Sequence, residues 1–420
     1  MAAEIPAANA AASTAIGFTF DDEVTGLRYR RGARGKREAR FHRLLMRLLG
    51  PYVIVPSVRR LLVLPGLLAA CLAASTANAA TQTLETPDVR AVARLSPSFV
   101  DSVLSSTSPQ AAAFRARTSE WGGPTVATDG ETVTIYFSDS YPADPVLQKK
   151  WADFMTSLVH GPELSTVSIH LAPLAEVQRY CGSQALACYS GRTRTIYSPG
   201  EGPDADTSAE GALAHEYGHH VAGSRSNPPF ESIDYGTKRW ASYENVCSKA
   251  ASGTLFPGAE DAARYSLNPG EAFAEAYRVL NEQKLGLKQE AWNIVTPTLF
   301  PDATALELLE QDVVTPWTAP AAKTLTAALT SKIRTRTFSV ATPYDGTIAV
   351  APRQAGKATV SVSLLGAKGA TVGTSAFKRA SGTSISSTVC GQRSYRVRVT
   401  LPGTVTKQTK TTVSLTVTSS

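Results

Sequence analysis

The stretch His215-Glu216-Tyr217-Gly218-His219 follows the pattern HExxH and predicts the helix that carries it. On an α-helix, positions i and i+4 lie on one face, so both imidazoles can reach a single metal ion. Glu216 projects from the neighbouring edge, where its carboxylate can contact a metal-bound water. His220 points about 100° away from His219, so we interpret it as a packing or supporting residue. The pentapeptide has the geometry that a catalytic zinc ion needs.

The flanking residues also favour a helix. Thr207-Ser208-Ala209-Glu210 has the pattern of a capping box at its start, and Gly223 suits the position after its end. An apolar stripe runs between them, formed by Leu213, Tyr217 and Val221. The alternative to a metal site is a pair of histidines on a solvated helix face.

A zinc site of this kind needs a third protein ligand, and the sequence offers three sources. The extended metzincin pattern requires Gly three residues and His six residues after the second histidine, but Ala222 and Arg225 occupy those positions. Asp234, in a loop that contains Pro and Gly, is a lesser alternative. The third source is a glutamate on a second helix.

That second helix is predicted by the segment that begins at Asn268. Asn268 can cap the helix and Pro269 can be its first residue. Glu271 and Glu275 then lie one turn apart, and two like charges at this spacing repel unless a positive group lies beside them. A zinc ion with its histidines would supply that group. Alternatively, Glu271 only caps the helix and Glu275 pairs with Arg278.

The two motifs together, HEYGH and Glu-Ala-Phe-Ala-Glu-Ala-Tyr at 271–277, resemble the glutamate-zincin (gluzincin) group of metallopeptidases. The resemblance implies an α+β zincin-like catalytic domain with Zn²⁺ held by His215, His219 and Glu271. It implies that Glu275 orients a histidine ligand, as ligating imidazoles commonly require. The chain also resembles uncharacterised exported zinc metallopeptidases of high-GC Gram-positive bacteria. It departs from the group by having Pro269-Gly270 before the ligand, where Asn is common.

The predicted site indicates hydrolysis of peptide bonds in a peptide or protein substrate. Glu216 would take the proton of the attacking water and pass it to the leaving amine. Tyr265, six residues before Glu271, is our candidate for a hydroxyl that stabilises the oxyanion. Other tyrosines compete for this role, namely Tyr235, Tyr243 and Tyr277. The alternative function is a non-catalytic secreted or cell-surface binding protein with a vestigial metal helix.

Charge gives no sign of a nucleic-acid partner in the body of the chain. The formal net charge of +7 comes mostly from residues 1–79, which hold 11 Lys and Arg against 5 Asp and Glu. The remainder holds 31 basic and 30 acidic residues, a net charge of +1. Summed in this way, the body lacks the basic excess typical of proteins that bind nucleic acids or acidic membranes. We expect a monomer.

The first 79 residues have the features of an export leader. Arg59-Arg60 precede an apolar run of about 14 residues, and Ala77-Asn78-Ala79 fits a signal peptidase site. Translation could start at Met46, because residues 1–58 would otherwise form a long basic segment. The alternative is a lipobox, in which Cys71 carries lipid and anchors the protein to the outer face of the cell membrane. Either way, we expect an exported protein.

Four further cysteines suggest two disulfides, as expected outside the cytoplasm. Three pairings are open. Cys181 and Cys188 enclose only six residues, so we favour a bond between them, which would leave Cys247 to pair with Cys390. Zinc binding by these cysteines is disfavoured, because no C-x-x-C pair is present.

Hydrophobic periodicity divides the remaining chain into three parts. Residues 80–125 are rich in Ser, Thr, Pro and Ala and are interpreted as a spacer or propeptide. Residues 126–334 alternate strand and helix signals, as a zincin-like metallopeptidase domain would. Residues 335–420 are rich in Val, Thr and Ser, alternate in polarity, and predict an all-β sandwich. This last part resembles the pre-peptidase C-terminal domains of secreted bacterial proteases.

Overall fold

The computed structural model describes residues 119–202 and 206–420. The predicted leader, the alternative start at Met46, the lipobox at Cys71 and most of the predicted spacer lie outside the described residues. Within the described part of the chain, no helix is both long enough and apolar enough to cross a bilayer.

A five-stranded mixed sheet forms the first part of the fold. Its strands are β1 (Glu120–Val126), β2 (Thr132–Ser138), β3 (Ser168–Ala172), β4 (Cys188–Ser190) and β5 (Thr195–Pro199). Their order is β1-β2-β3-β5-β4, with β2, β3 and β5 parallel and both edge strands antiparallel to their neighbours. Alternate residues of β2 enter the core, as its polarity pattern predicts: Val133, Ile135 and Phe137.

β1 was not predicted, since it lies in the range interpreted as spacer. Its sequence includes Gly122-Gly123-Pro124, which interrupts the usual strand pattern. Gly122 and Gly123 both adopt positive φ angles, and a Cβ on Gly122 would lie 2.4 Å from the carbonyl oxygen of Ile135. The strand therefore depends on glycine for its close approach to β2, and the sheet begins before residue 126.

Helices cover the sheet and complete this part of the fold. They are α1 (Pro145–Ser157), α2 (Leu174–Cys181), α3 (Ala209–Gly223), α4 (Ser232–Tyr235), α5 (Lys238–Tyr243), α6 (Val246–Ala251), α7 (Pro269–Leu285) and α8 (Ala303–Val314). Short 3₁₀ turns occupy Pro162–Thr166, Tyr265–Leu267 and Pro297–Leu299. One core joins the β2 and β3 face to α1, α3 and α7. Because α3 and α7 pack against each other, residues about 50 positions apart in sequence come together.

The C-terminal part is a β-sandwich of two four-stranded sheets. One sheet has the order β10-β9-β12-β7, and the other has the order β11-β8-β13-β6. The strands are β6 (Ala321–Thr330), β7 (Thr335–Ala341), β8 (Gly346–Gln354), β9 (Val360–Leu365), β10 (Thr371–Phe377), β11 (Ile385–Val389), β12 (Ser394–Thr400) and β13 (Lys410–Ser419), with a 3₁₀ turn at Ala367–Gly369. Val, Leu and Ile from both sheets fill the space between them.

The sandwich starts earlier than the predicted boundary at residue 335. β6 pairs with β13 along its whole length, from Ala321 to Thr330. Its sequence, AAKTLTAALT, is rich in alanine and lacks β-branched apolar residues, so its strand character depends on pairing with β13 rather than on propensity. β10 likewise lacks a clear strand signal, because glycine and alanine weaken its alternation.

Both predicted disulfides are confirmed. Cys181 pairs with Cys188 beside β4, and Cys247 on α6 pairs with Cys390 at the end of β11. The second bond joins the α/β part to the sandwich. Beside it, the buried Nζ of Lys238 donates to the carbonyl oxygen of Asp345 at 3.0 Å, and burial lowers the pKa of Lys238 to about 8.

Candidate metal centre

The first two metal-ligating candidates lie on α3, which is buried along almost its whole length. Ser208 caps the helix, and its Oγ accepts from the amide of Gly211 at 2.9 Å. The predicted capping box, with Thr207 as the cap and Glu210 three residues later, is therefore wrong by one residue. The helix still places His215 and His219 one turn apart on the face toward α7, with ring centroids 5.1 Å apart.

The third candidate lies at the start of α7. As predicted, Asn268 caps this helix, accepting from the amide of Gly270 at 3.0 Å, and Pro269 is its first residue. A Cβ on Gly270 would lie 2.4 Å from the carbonyl oxygen of Ile233. Only glycine allows α4 to approach the helix start this closely. Glu271 follows in the first turn and is fully buried.

His215, His219 and Glu271 converge into one group. Oε2 of Glu271 lies 3.4 Å from Nε2 of His215 and 3.3 Å from Nε2 of His219. Charge-assisted hydrogen bonds are shorter, at about 2.7–2.9 Å. Two ligands bonded at about 2.0–2.1 Å to one tetrahedral ion lie roughly 3.3–3.4 Å apart. The spacing of these atoms therefore fits a shared metal ion better than direct hydrogen bonds.

Within the described residues, this is the single group of three or more His, Cys, Asp or Glu side chains close enough to hold a metal ion. The lesser alternative, Asp234, is not a member. The carboxylate of Asp234 lies beside Gly258 instead, 3.2 Å from the position that a Cβ would take on that glycine. Burial and the nearby Glu231 raise the pKa of Asp234.

Glu275 contacts the back of the His215 ring. Its Oε2 lies 3.0 Å from Nδ1 of His215, which leaves Nε2 directed toward Glu271. The side chain of Arg278 also binds Glu275 through both carboxylate oxygens, at 2.9 and 2.6 Å. Glu275 therefore contacts a histidine ligand candidate and pairs with Arg278 at the same time, although the sequence analysis treats these two contacts as alternatives. Burial alone would raise the pKa of Glu275, but Arg278 and His215 outweigh it and lower the pKa to about 2.

A chain of polar contacts continues from Arg278 to the start of α3. Arg278 pairs with Glu282, and Oε2 of Glu282 accepts from the amide of Glu290 at 3.3 Å. Oε1 of Glu290 accepts from both the amide and the hydroxyl of Ser208, at 2.8 and 2.6 Å. Glu275, which supports His215 from α7, is thus linked through Arg278, Glu282 and Glu290 to Ser208, the cap of the helix that carries His215.

Tyr265 contacts the group directly. Its hydroxyl donates to Oε2 of Glu271 at 2.9 Å. The competing tyrosines bind elsewhere: Tyr243 donates to Asp302, Tyr277 donates to the carbonyl oxygen of Val159, and Tyr235 stacks on Phe230. Of the four, Tyr265 is therefore placed where it can act on the group, although in this structure it contacts the carboxylate.

The two remaining polar residues of the motif differ in their placement. Glu216 is buried on α3 beside the first ligand candidate. His220 faces away from the group, as predicted, with Nδ1 3.1 Å from the hydroxyl of Tyr189 and Nε2 3.0 Å from the carbonyl oxygen of Glu163. Burial lowers the pKa of His220. His220 is therefore a packing residue.

Gly218 sets the distance between α3 and α7. A Cβ there would lie 2.8 Å from Cα and 3.1 Å from the carbonyl oxygen of Ala274. We expect Gly218→Ala to push the helices apart and lower the unfolding free energy by about 1–2 kcal/mol, because overpacking exceeds the gain in helix propensity. Metal affinity should fall with it, as measured by competition with a chelating dye.

Gly223→Ala is the matched control for that substitution. It lies at the end of the same helix, and a Cβ there would have no atom closer than 3.7 Å. The free energy of unfolding and the metal affinity of this variant should equal or exceed those of the wild type. Equal effects of the two substitutions would show that the close approach at Gly218 is unimportant.

Comparisons with known proteins do not identify a family. No protein family model matches the chain, and no curated protein matches it. Among solved structures, the pre-peptidase C-terminal domain of collagenase from Bacillus anthracis is 13% identical, with 23% of this chain and 87% of that chain covered and a TM-score of 0.19. The mitogen of Yersinia pseudotuberculosis is 12% identical, with 24% and 87% covered and a TM-score of 0.19.

Legionella pneumophila aminopeptidase A is 9% identical, with 66% of this chain and 36% of that chain covered and a TM-score of 0.18. TM-scores this low support no argument about function. The residues themselves therefore carry the functional argument.

Proposed function

We propose that the chain is an exported zinc-dependent peptidase of the gluzincin type. The observation that carries the proposal is the convergence of His215, His219 and Glu271, whose ligand atoms all lie within 4.8 Å of one another. Two imidazoles and one carboxylate, with a further position open to solvent or substrate, are the donor set of catalytic zinc sites. The zincin-like character of the α/β part is part of the same proposal.

The donor set of two imidazoles and one carboxylate favours zinc over ions that prefer oxygen ligands. Mg²⁺ and Ca²⁺ favour sites rich in carboxylate, carbonyl and water ligands, whereas imidazole suits zinc and related transition metals. Glu275 supports His215 from behind, which is the usual arrangement for a ligating histidine. Bound zinc would polarise the scissile carbonyl and acidify a water molecule.

The residues of the chain would supply the remaining chemistry. Glu216 accepts the proton of the attacking water and donates it to the leaving amine. The hydroxyl of Tyr265 contacts Glu271 and, after rotating away from it, would donate to the oxyanion.

Export is supported by the two disulfides, which persist in oxidising compartments. We therefore place the peptidase outside the cytoplasm, either secreted or anchored by lipid at Cys71. Its substrates would be peptides or proteins met there.

A peptide-library digestion tests the proposal. We expect cleavage of some peptides by the zinc-loaded protein, its loss after treatment with a chelator, and its return when zinc is added. The products should be identified by mass spectrometry. Zinc-loaded protein that cleaves no peptide would favour the alternative, a binding protein with a vestigial metal helix. Cleavage that persists after complete metal removal would contradict both.

A further inference from the structure

The chain after residue 79 is nearly neutral overall, but its α/β part and its β-sandwich carry opposite net charges. Residues 321–420 contain 14 Lys and Arg, one Asp and no Glu, a formal charge of +13. Residues 80–320 contain 17 Lys and Arg and 29 Asp and Glu, a formal charge of −12. The basic excess that the summed charge conceals is therefore concentrated in the β-sandwich.

Almost all of this positive charge faces solvent. Thirteen of the 14 basic residues are exposed: Lys323, Lys332, Arg334, Arg336, Arg353, Lys357, Lys368, Lys378, Arg379, Arg396, Arg398, Lys407 and Lys410. The remaining one, Arg393, pairs with Asp345, which is buried. Within the described residues, that is the only ion pair formed by the sandwich. Thirteen exposed cations are thus left without a neutralising carboxylate there.

The cations lie on both sheets. Arg396 and Arg398 alternate along β12 on the outer side of one sheet, while Tyr395 and Val397 between them enter the core. Arg353 on β8 and Lys410 on β13 are exposed on the other sheet. Self-repulsion among so many like charges destabilises a compact domain unless counter-ions or a partner neutralise them. This distribution is what a polyanionic partner would neutralise.

We propose that the β-sandwich binds a flexible anionic polymer, rich in phosphate or other acidic groups, outside the cytoplasm. A flat membrane could meet only one of the two sheets at a time, whereas a flexible polymer can follow charges around the domain. Of the four aromatic residues of the sandwich, Phe377 and Tyr395 are buried and Phe338 and Tyr344 are partly buried, so none offers the fully exposed ring on which bases of single-stranded nucleic acid stack. The binding would hold the acidic catalytic part near the polymer.

The test uses the full chain and long-chain inorganic polyphosphate as the probe, with affinity measured over a series of salt concentrations. We expect binding at low salt that weakens steeply as salt rises, because neutralised anions release counter-ions. The variant Arg336→Thr/Lys368→Asn/Arg396→Thr/Arg398→Thr removes four exposed cations carried by β7, β12 and the 3₁₀ turn after β9. It should bind about tenfold or more weakly, and the slope of log K against log salt should become shallower by up to about 3.

The matched control removes four exposed cations from the α/β part, as Lys150→Gln/Arg179→Gln/Lys284→Gln/Lys288→Gln. It changes the net charge by the same amount and should leave the affinity within about twofold. Equal weakening by both variants would overturn the proposal, as would the absence of binding by the wild type at low salt. Because the wild-type salt dependence is measured independently, the test does not depend on the sandwich variant folding.

A second probe separates a polymer from a membrane. Vesicles of phosphatidylglycerol and phosphatidylcholine should bind more weakly than polyphosphate. Binding to vesicles without binding to polyphosphate would assign the surface to a membrane and overturn the proposal. Treatment with a chelator should change neither affinity, since this surface is independent of the proposed peptidase function.

Discussion

Glu216→Gln should reduce peptide cleavage by roughly 10²- to 10⁴-fold, the contribution typical of a residue that transfers protons in the transition state. The amide has the same shape as the carboxylate, so the buried site on α3 should accommodate it. Gln cannot accept the proton of the attacking water. The three ligand candidates are unchanged, so zinc stoichiometry and thermal stability should equal those of the wild type. The measurements are initial cleavage rates and metal content by mass spectrometry.

Glu210→Gln is the matched control, since it removes a carboxylate from the same helix whose one ion pair among the described residues is with the surface residue Lys150. This variant should cleave at the wild-type rate. Full activity of Glu216→Gln would show that another group accepts the proton. Loss of metal from Glu216→Gln would show instead that Glu216 helps to hold the ion.

Arg278→Met should be the most destabilising single substitution near the group. It leaves Glu275 and Glu282 buried without their cation, and removing one partner of a buried pair costs about 3–5 kcal/mol. Without Arg278, the carboxylate behind His215 is held less firmly, so zinc affinity should fall by about 10- to 100-fold. Chemical denaturation and zinc competition measure the two effects.

Two companion variants separate position from charge at Arg278. Arg278→Lys keeps the charge but cannot bind both oxygens of Glu275, so it should restore much of the stability and less of the zinc affinity. Lys284→Met removes an exposed cation from the same helix and should change neither quantity by much. Wild-type zinc affinity in Arg278→Met would show that Glu275 needs no support from Arg278.

The parts of the site with local sequence signals were predictable. HExxH and the cap at Asn268 each depend on residues within one or two helical turns, and both helices form where these signals place them. The residues offered three sources for the third ligand, and the resemblance selected the glutamate on the second helix. Gly218 and Gly270, which permit the close packing, are visible in the sequence, but their role depends on Ala274 and Ile233, which only the fold brings near.

Other features have no local signal. Glu290 lies in a segment without regular structure, and its contact with Ser208 spans 82 residues. β6 and β10 are rich in small residues, so their strand character comes from pairing with neighbours rather than from propensity. The charge of the sandwich is present in the sequence and is hidden only when charge is summed over the whole body, since residues 335–420 alone hold 11 Lys and Arg against one Asp.

A crystal structure of the zinc-loaded protein, with anomalous scattering recorded at the zinc absorption edge, tests the central claim most directly. We predict one strong anomalous peak bonded to Nε2 of His215, Nε2 of His219 and Oε2 of Glu271, at about 2.0–2.2 Å from each. A protein that takes up no zinc, or a peak bonded to the histidines and Asp234 while Glu271 stays apart, would contradict it.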